Sequence, residues 1–350
     1  MNQAVLSIYT ATYNRKDILE EKIKRILSIR SDDIDYFVLD DCSDDGTLDM
    51  LAGFDDPRLH VLRNGTNQGS KQDGVMQNWF KLLEVCDGQF AFHLNDRDII
   101  DTGGLQDLCA FLKGNPTLTG GICDSIGGGY SIYQSPEKAF MNLPYLGSHP
   151  TGIVFNMDEY RLLDNRKQMF MNQQASIHPH DLVLGRLAEY GEMFRFHKLW
   201  NLADQESFAN NRSFLYKKAS AKDAWFSPES RLCEFELFCK NIEKSPFLEE
   251  VKKKKAQQIA KRYLFYCTLN YAFFISDEGQ TSHYGIEPRK LSRNELSGIA
   301  QDFIQKSYVV MKDSNLVHSY RSYSIYMTSY FWTIYYAKPM WDKGKKLRRA

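Results

Sequence analysis

The sequence predicts an α/β fold, a mostly parallel sheet with flanking helices, followed by a mainly helical C-terminal region. Three observations carry this expectation. In the first hundred residues, runs of strand character alternate with runs of helical spacing, and a β-α-β-α-β-α-β order demands crossovers between parallel strands. Each strand run ends in a cluster of polar residues. From about Ser213 onward the strand signal gives way to helical, lysine-rich sequence.

The elements follow in order. "AVLSIYTATYN" is a strand that ends in small and polar residues, and "RKDILEEKIKRILSI" places Ile18, Leu19, Ile23, Ile26 and Leu27 at helical spacing. "DYFVLDDCSDDGT" is a buried strand breaking into an acidic turn, and "TLDMLAGF" is a short helix. "RLHVLRN" is a third strand, "NGTNQGS" a turn cluster, "DGVMQNWFKLLEVC" a helix and "GQFAFHLN" a fourth strand. After the glycine-rich "IGGGYS" come a short strand "TGIVFN", a helix "MDEYRLLDNR", a helix within "HPHDLVLGRLAEYGE" and a returning strand "MFRFHKLWNL". The domain boundary is placed at 212/213, and the clearest element beyond it is the helix "EEVKKKKAQQIAKRYLFYCTLNYAFF".

Composition narrows the function. The 350-residue chain has 44 Lys plus Arg against 44 Asp plus Glu, so no bulk charge draws it to nucleic acid or membrane. Its seven scattered cysteines form no C-x-x-C pair, which reads as reduced thiols and a cytoplasmic protein. The N-terminus lacks the pattern of a signal peptide, and no run of about 18 apolar residues is present to span a bilayer.

In parallel α/β sheets, ligands bind outside the carboxyl ends of the strands. "TATYNR", "DDCSDD", "NQGSK" and "NDRD" all fall at such ends. Asp40 and Asp41 side by side repel unless each finds donors, and a nucleobase N–H is one such donor. A turn capped by Asp44 or Thr47 is the alternative reading. In "FAFHLNDRDIID", two carboxylates and a guanidinium interrupt an apolar run.

Taken together, "SIYTATYNR", "FVLDDCSDDGT", "RLHVLRNGTNQG", "GQFAFHLNDRD" and "HDLVLGRLAEYG" resemble, in order and spacing, the inverting family 2 glycosyltransferases of the GT-A fold (Rossmann-like). "DDCSDDGT" is the most specific of these motifs, and the resemblance covers about the first 200 residues. It implies a nucleotide site in which Thr10, Ala11 and Tyr13 line the base pocket, with Arg15 beside them. Asp41 would accept the N–H of a pyrimidine and Asp40 would support the ribose or the turn. Asn67, Gly69, Ser70 and Lys71 would lie under the nucleotide, with Lys71 toward the diphosphate. The resemblance further implies a D-x-D motif holding Mn²⁺ or Mg²⁺. Here the aligned positions are Asn95 and Arg97, whereas Asp96 and Asp98 form a D-x-D one residue later. Two readings stand: Asp96 and Asp98 bind the metal, with Asp96 also at the nucleotide, or Arg97 grips the diphosphate itself. Internal pairing of Arg97 with Asp98 or Asp101 is a third.

Asp181 matches the position of the catalytic base, with His180 where a glutamate usually stands; either the base role or an N-cap suits it. His180 is a further candidate for the diphosphate. His178, His180 and Asp181 lack the usual spacing of a zinc site, and His149 precedes a strand that borders the acceptor side in this family. The implied function is transfer of a sugar from a UDP-sugar, or a related pyrimidine diphospho-sugar, to a saccharide hydroxyl in bacterial polysaccharide or glycoprotein glycan assembly. The alternatives are a non-catalytic GT-A-like partner of another transferase and a sugar nucleotidyltransferase. The latter would carry a glycine-rich loop after the first strand, and "TATYNRKD" has no glycine. The C-terminal "SYRSYSIYMTSYFWTIYYAKPMWDKGKKLRRA" sets aromatics at three- and four-residue spacing before a basic end. It suits packing or homo-oligomer formation first, and peripheral contact with the inner face of the membrane as the alternative.

Overall fold

The computed structural model describes residues 3–69, 74–124, 128–147, 149–171, 178–197, 199–201 and 224–347. These fall into two units, one ending at residue 201 and the other starting at residue 224. The expected boundary at 212/213 lies outside the described residues.

The first unit begins with β1 (Leu6–Thr12), α1 (Lys16–Leu27), β2 (Ile34–Asp40), α2 (Thr47–Ala52), β3 (Leu59–Arg63), α3 (Gly74–Val85) and β4 (Phe90–His93). β5 (Ile99–Ile100), α4 (Thr102–Gly114), β6 (Gly120–Cys123), β7 (Tyr130–Tyr133) and α5 (Pro136–Asn142) come next. The unit closes with β8 (Ile153–Asn156), α6 (Met157–Leu162), α7 (Arg166–Met171), α8 (Pro179–Leu187), β9 (Met193–Phe196) and β10 (Trp200–Asn201). Eight strands form one sheet in the order β3-β2-β1-β4-β8-β6-β9-β7. β3, β2, β1 and β4 are parallel, β8 runs antiparallel between β4 and β6, and β9 is parallel to β6.

The inner parallel strands β1, β2 and β4 read as continuous apolar runs because both their faces are covered. Leu6, Ile8, Val38, Phe90 and Phe92 meet Leu19, Ile23 and Ile26 of α1 in one buried cluster. The chain moves from β1 to β2 to β3 on one side and then crosses to β4 on the other side of β1. That reversal opens a crevice at the carboxyl ends of β1 and β4, where α/β sheets take ligands.

Two local features have physical causes, and the second departs from expectation. Thr102-Gly103-Gly104 has the composition of a turn, yet it opens α4, because the Asp101 carboxylate caps the amides of Gly103 (3.0 Å) and Gly104 (3.2 Å). The run "MFRFHKLWNL" is two strands instead of one: β9 joins the main sheet, and β10 pairs antiparallel with β5.

The second unit is helical, with long helices Pro228–Lys244, Glu249–Phe265, Arg293–Asp313 and Tyr320–Leu347. Ser227 caps the first of them, with Pro228 at its first position, and Ser292 with Glu295 forms a full capping box on the third. Its buried polar centre is Glu234, which pairs with Arg231 at 3.1 Å and accepts from the Tyr263 hydroxyl at 2.7 Å. In the last helix Tyr323, Met327 and Phe331 form the buried stripe, while Tyr320, Tyr326 and Tyr336 are exposed. Lys261 stands over the Tyr326 ring and Arg293 over that of Trp332, so part of the aromatic run packs on its own unit. The side chains of Lys343, Lys345 and Lys346, and all of Arg348 and Arg349, lie outside the described residues.

The inner strands leave no room at β6. A Cβ on Gly121 would sit 2.5 Å from the Phe194 ring and 2.6 Å from the Phe194 carbonyl. Gly121→Ala is therefore expected to lower unfolding stability by about 1–3 kcal/mol, the usual cost of overpacking a core. Urea denaturation measures it, and an unchanged midpoint would contradict the packing described.

Candidate active site

The end of β1 is the keystone of the candidate site. The Thr10 hydroxyl donates to the Leu94 carbonyl at 2.7 Å and accepts from the Tyr36 hydroxyl at 3.0 Å. Thr10 is completely buried, so its side chain ties β1 to β4 and β2 and does not form the wall of a base pocket. Ala11 and Tyr13 beyond it are half-buried. Asn14 takes a left-handed backbone (φ 53°), which Asn tolerates better than most residues. Its amide side chain exchanges hydrogen bonds with the backbone N–H of Asp44 and the carboxylate of Asp44 (2.9 and 2.8 Å).

On the β2 side, Asp40 and Asp41 resolve their mutual repulsion by different donors. Asp40 is buried, takes the Ser43 N–H at 3.3 Å, and lies 3.7 Å from Arg63 Nε; it supports the turn. Asp41 Oδ1 accepts from Gln68 N–H at 2.9 Å and from Asn64 Nδ2 at 2.7 Å, and Oδ2 accepts from Gly69 N–H at 2.7 Å. A Cβ on Gly69 would come within 3.1 Å of Asp41 Oδ2, so the glycine allows this approach. Asn67 lies in the same turn, and Ser70 and Lys71 fall outside the described residues. Asn64 also reaches Asn78 Oδ1 at 2.7 Å and receives Lys81 Nζ at 2.9 Å. A cavity of about 340 Å³ is bounded by Asn64, Gln68, Asn78 and Lys81. Sequence reading missed Asn64 and Asn78; the signal was an asparagine at the end of β3, matching the polar ends of its neighbours.

On the β4 side stands the charged knot. Arg15 Nε pairs with Asp96 Oδ2 at 3.0 Å, with the arginine side chain fully buried and that of Asp96 11% exposed. Arg15 is thus committed to Asp96 and not turned toward a ligand. Lys22, on the apolar face of α1 between Leu19 and Ile26, is buried and donates to the Asn95 carbonyl at 2.5 Å. Burial pulls its amine down to about 8, against the opposing attraction of Asp96 and Asp98. A lysine inside an apolar helical stripe was the signal that could have found it. Asp98 is buried, and its Oδ2 meets His149 Nε2 at 2.7 Å and accepts from the Thr151 hydroxyl. Burial would raise the Asp98 carboxyl, but the His149 and Thr151 hydrogen bonds, with Lys22 nearby, bring it below its ordinary value. Arg97 is half-buried; burial lowers its guanidinium from the ordinary value, with Asp96 and Asp98 opposing and Arg15 adding.

Farther along β4 the side chains change character. His93 and His180 are fully buried, 4.7 Å apart between ring centres, with Trp79 4.8 Å from each. Phe155 and Phe170 complete the wall around His180. Desolvation drives His93 down to about 3 and His180 well below its ordinary range, so both imidazoles are neutral. His180 therefore offers no positive charge to a diphosphate, which corrects that expectation; a core aromatic position claimed it. Asp181 lies in the first turn of α8, completely buried, and accepts from the Leu146 N–H at 3.2 Å. Its side chain anchors the segment before His149 and does not face the crevice in this structure.

The expected Mn²⁺ or Mg²⁺ site fares poorly. No three acidic, histidine or cysteine side chains converge on one point among the described residues. A dication at Asp96 would stand against Arg15, Lys22 and Arg97, and one at Asp98 would displace the donors His149 and Thr151. The residues present do not fit the metal.

Comparison with known proteins gives this geometry its context. A family model described as glycosyl transferase family 2 matches residues 7–188, just over half of the chain. The chain belongs to glycosyl transferase family 2. Within the family it is 31% identical over 96 residues to the putative teichuronic acid biosynthesis glycosyltransferase TuaG of Bacillus subtilis, covering 27% of this chain and 36% of that one. It is 33% identical over 105 residues to the GalNAc(5)-diNAcBac-PP-undecaprenol beta-1,3-glucosyltransferase of Campylobacter jejuni, covering 29% and 33%. The matched region is thus about a third of each relative's length. S. aureus TarS 1–349 in complex with UDP has a similar fold (TM-score 0.59, 16% identity, 96% of this chain and 91% of that one). The GT-A fold expected from the sequence is the fold observed.

The Arg15–Asp96 pair yields a stability test. Arg15→Met strips a buried carboxylate of its direct partner and is expected to cost about 3–5 kcal/mol, whereas the double variant Arg15→Met/Asp96→Asn recovers most of it. Chemical denaturation of the two variants measures the difference. A single variant as stable as the parent would contradict the pairing.

Proposed function

We propose that the chain is an inverting glycosyltransferase that takes a sugar from a pyrimidine diphospho-sugar, most simply a UDP-sugar, and passes it to a saccharide hydroxyl. The observation that carries this reading is the pinned Asp41 carboxylate at the carboxyl end of β2. A carboxylate has about four lone-pair positions, and Gln68, Asn64 and Gly69 fill three of them. The fourth, on Oδ2, suits the ring N–H of a uracil. The half-buried Tyr13 and Ala11 at the end of β1 would flank the base. The β4 knot then lies across the end of β1, on the side toward which the diphosphate would extend. TarS bound to UDP and to UDP-GlcNAc supports the donor class. The relatives named for teichuronic acid and for an undecaprenol-linked glycan support a cell-surface polysaccharide acceptor.

Family position assigns the base to Asp181, whose burial against Leu146 requires the 143–147 segment to yield before an acceptor hydroxyl can reach it. That same burial favours a second reading, a GT-A protein that binds nucleotide without turnover and supports another transferase. No helix among the described residues is long and apolar enough to cross a membrane, and contact with a lipid-linked acceptor at the inner face of the membrane is compatible with the transferase reading.

Release of UDP from a panel of UDP-sugars, with and without glycan acceptors, separates the two readings. The transferase reading predicts turnover that Asp181→Asn reduces by about 10²-fold or more, while UDP affinity is kept and Asp41→Asn loses it. UDP binding without turnover would favour the second reading, and near-normal turnover by Asp181→Asn would exclude that residue as the base.

A further inference from the structure

Asn64, the residue that follows β3, stands between Asp41 and helix α3. Its backbone N–H bonds to the Asp40 carbonyl at 2.9 Å, which continues the β2–β3 ladder and fixes where the side chain starts. Nδ2 uses both its hydrogens, one on Asp41 Oδ1 and one on Asn78 Oδ1, each at 2.7 Å. Oδ1 receives Lys81 Nζ at 2.9 Å. Asn78 and Lys81 are three residues apart on α3, so they share a face of that helix and grip the amide together. Turned end for end, the amide would set its oxygen against the oxygens of Asp41 and Asn78, and its nitrogen against the Lys81 ammonium. The Asn64 amide therefore has one orientation, and in it Asn64 can only donate to Asp41.

That constraint decides how many acceptor positions Asp41 presents. Asn64 and the Gln68 N–H fill Oδ1, and the Gly69 N–H takes one of the two positions on Oδ2. Asp41 is buried, so a position vacated on Oδ1 would not be refilled freely from bulk water. Without Asn64 the carboxylate would meet a base N–H on either oxygen, and the register of the base would be lost. We propose that Asn64, clamped by Lys81 and Asn78, is a positioning residue that leaves Asp41 one open acceptor and so makes the site select uracil over cytosine. Uracil offers a ring N–H between two carbonyls. Cytosine places an unprotonated ring nitrogen there, and its donor is the neighbouring exocyclic amine, so it cannot meet a fixed acceptor in the same register. Asn64 and Lys81 act through Asp41 instead of on the nucleotide. This inference deepens the pyrimidine-nucleotide reading above and rests on it.

Isothermal titration of the full chain with UDP and with CDP tests it, because the two ligands differ only at the base edge. The parent chain is expected to bind UDP about tenfold or more tighter than CDP. Asn64→Leu is expected to weaken UDP about tenfold while CDP changes by less than about threefold, so that the preference collapses. Lys81→Met, at an exposed position of α3, is expected to reduce the preference about threefold or more, and Lys81→Arg to keep it. A merely structural role would lower both affinities together; that outcome, or a parent-like preference in Asn64→Leu, would overturn the inference. Should circular dichroism show Asn64→Leu unfolded, a parent-like preference in Lys81→Met overturns it instead. Equal affinity of the parent for UDP and CDP would also overturn it while sparing the nucleotide reading. Failure of both ligands to bind would overturn the nucleotide reading and this inference with it.

Discussion

The buried pair of Arg15 and Asp96 is the constraint on which the first unit's polar edge depends. Arg15 follows β1 and starts α1; Asp96 follows β4. Two charges removed from water this thoroughly survive only if each holds the other. The pair therefore fixes the distance between the loop after β1 and the loop after β4, and these loops form the two lips of the crevice. The Thr10 hydroxyl does the same one layer below, joining β1 to the Leu94 carbonyl. With both in place, the chain beyond β4 has little freedom, and Lys22, Asp98 and His149 are drawn into one network.

On the opposite side of β1 the same logic operates with neutral donors. Among the described residues, Asp41 has no cation in hydrogen-bonding contact; backbone N–H groups of Gln68 and Gly69 and the Asn64 amide hold it instead. Neutral donors orient a carboxylate without cancelling its charge, so Asp41 keeps its acceptor strength toward a nucleobase. At the β4 lip, full cations face the carboxylates instead: Arg15 pairs with Asp96, and Lys22 stands near both aspartates.

Much of this was legible in the sequence. Strand and helix periodicity gave the order of β1 to β4, because β1, β2 and β4 are buried on both faces and read as apolar runs. The polar residues at their ends marked the site, since polar side chains follow a buried strand only where something satisfies them. What sequence spacing could not convey was direction. Arg15 reads as a neighbour of the base pocket until β4 places Asp96 beside it. Lys22 breaks an amphipathic stripe for a reason visible only when the Asn95 carbonyl comes within reach. His180 and Asp181 carry the residue types of a reactive site, yet long-range packing buries the first among Trp79, His93, Phe155 and Phe170 and turns the second onto Leu146. The run "MFRFHKLWNL" reads as one strand because spacing does not show that its end pairs with β5.

The most direct test of the account is a crystal structure of the chain soaked with UDP. The uracil is expected against Asp41 and Tyr13, with the diphosphate over the loop 95–98. Density for the nucleotide anywhere else, or a diphosphate directed away from the end of β4, would contradict the claim that the two loops flanking β1 form one nucleotide site.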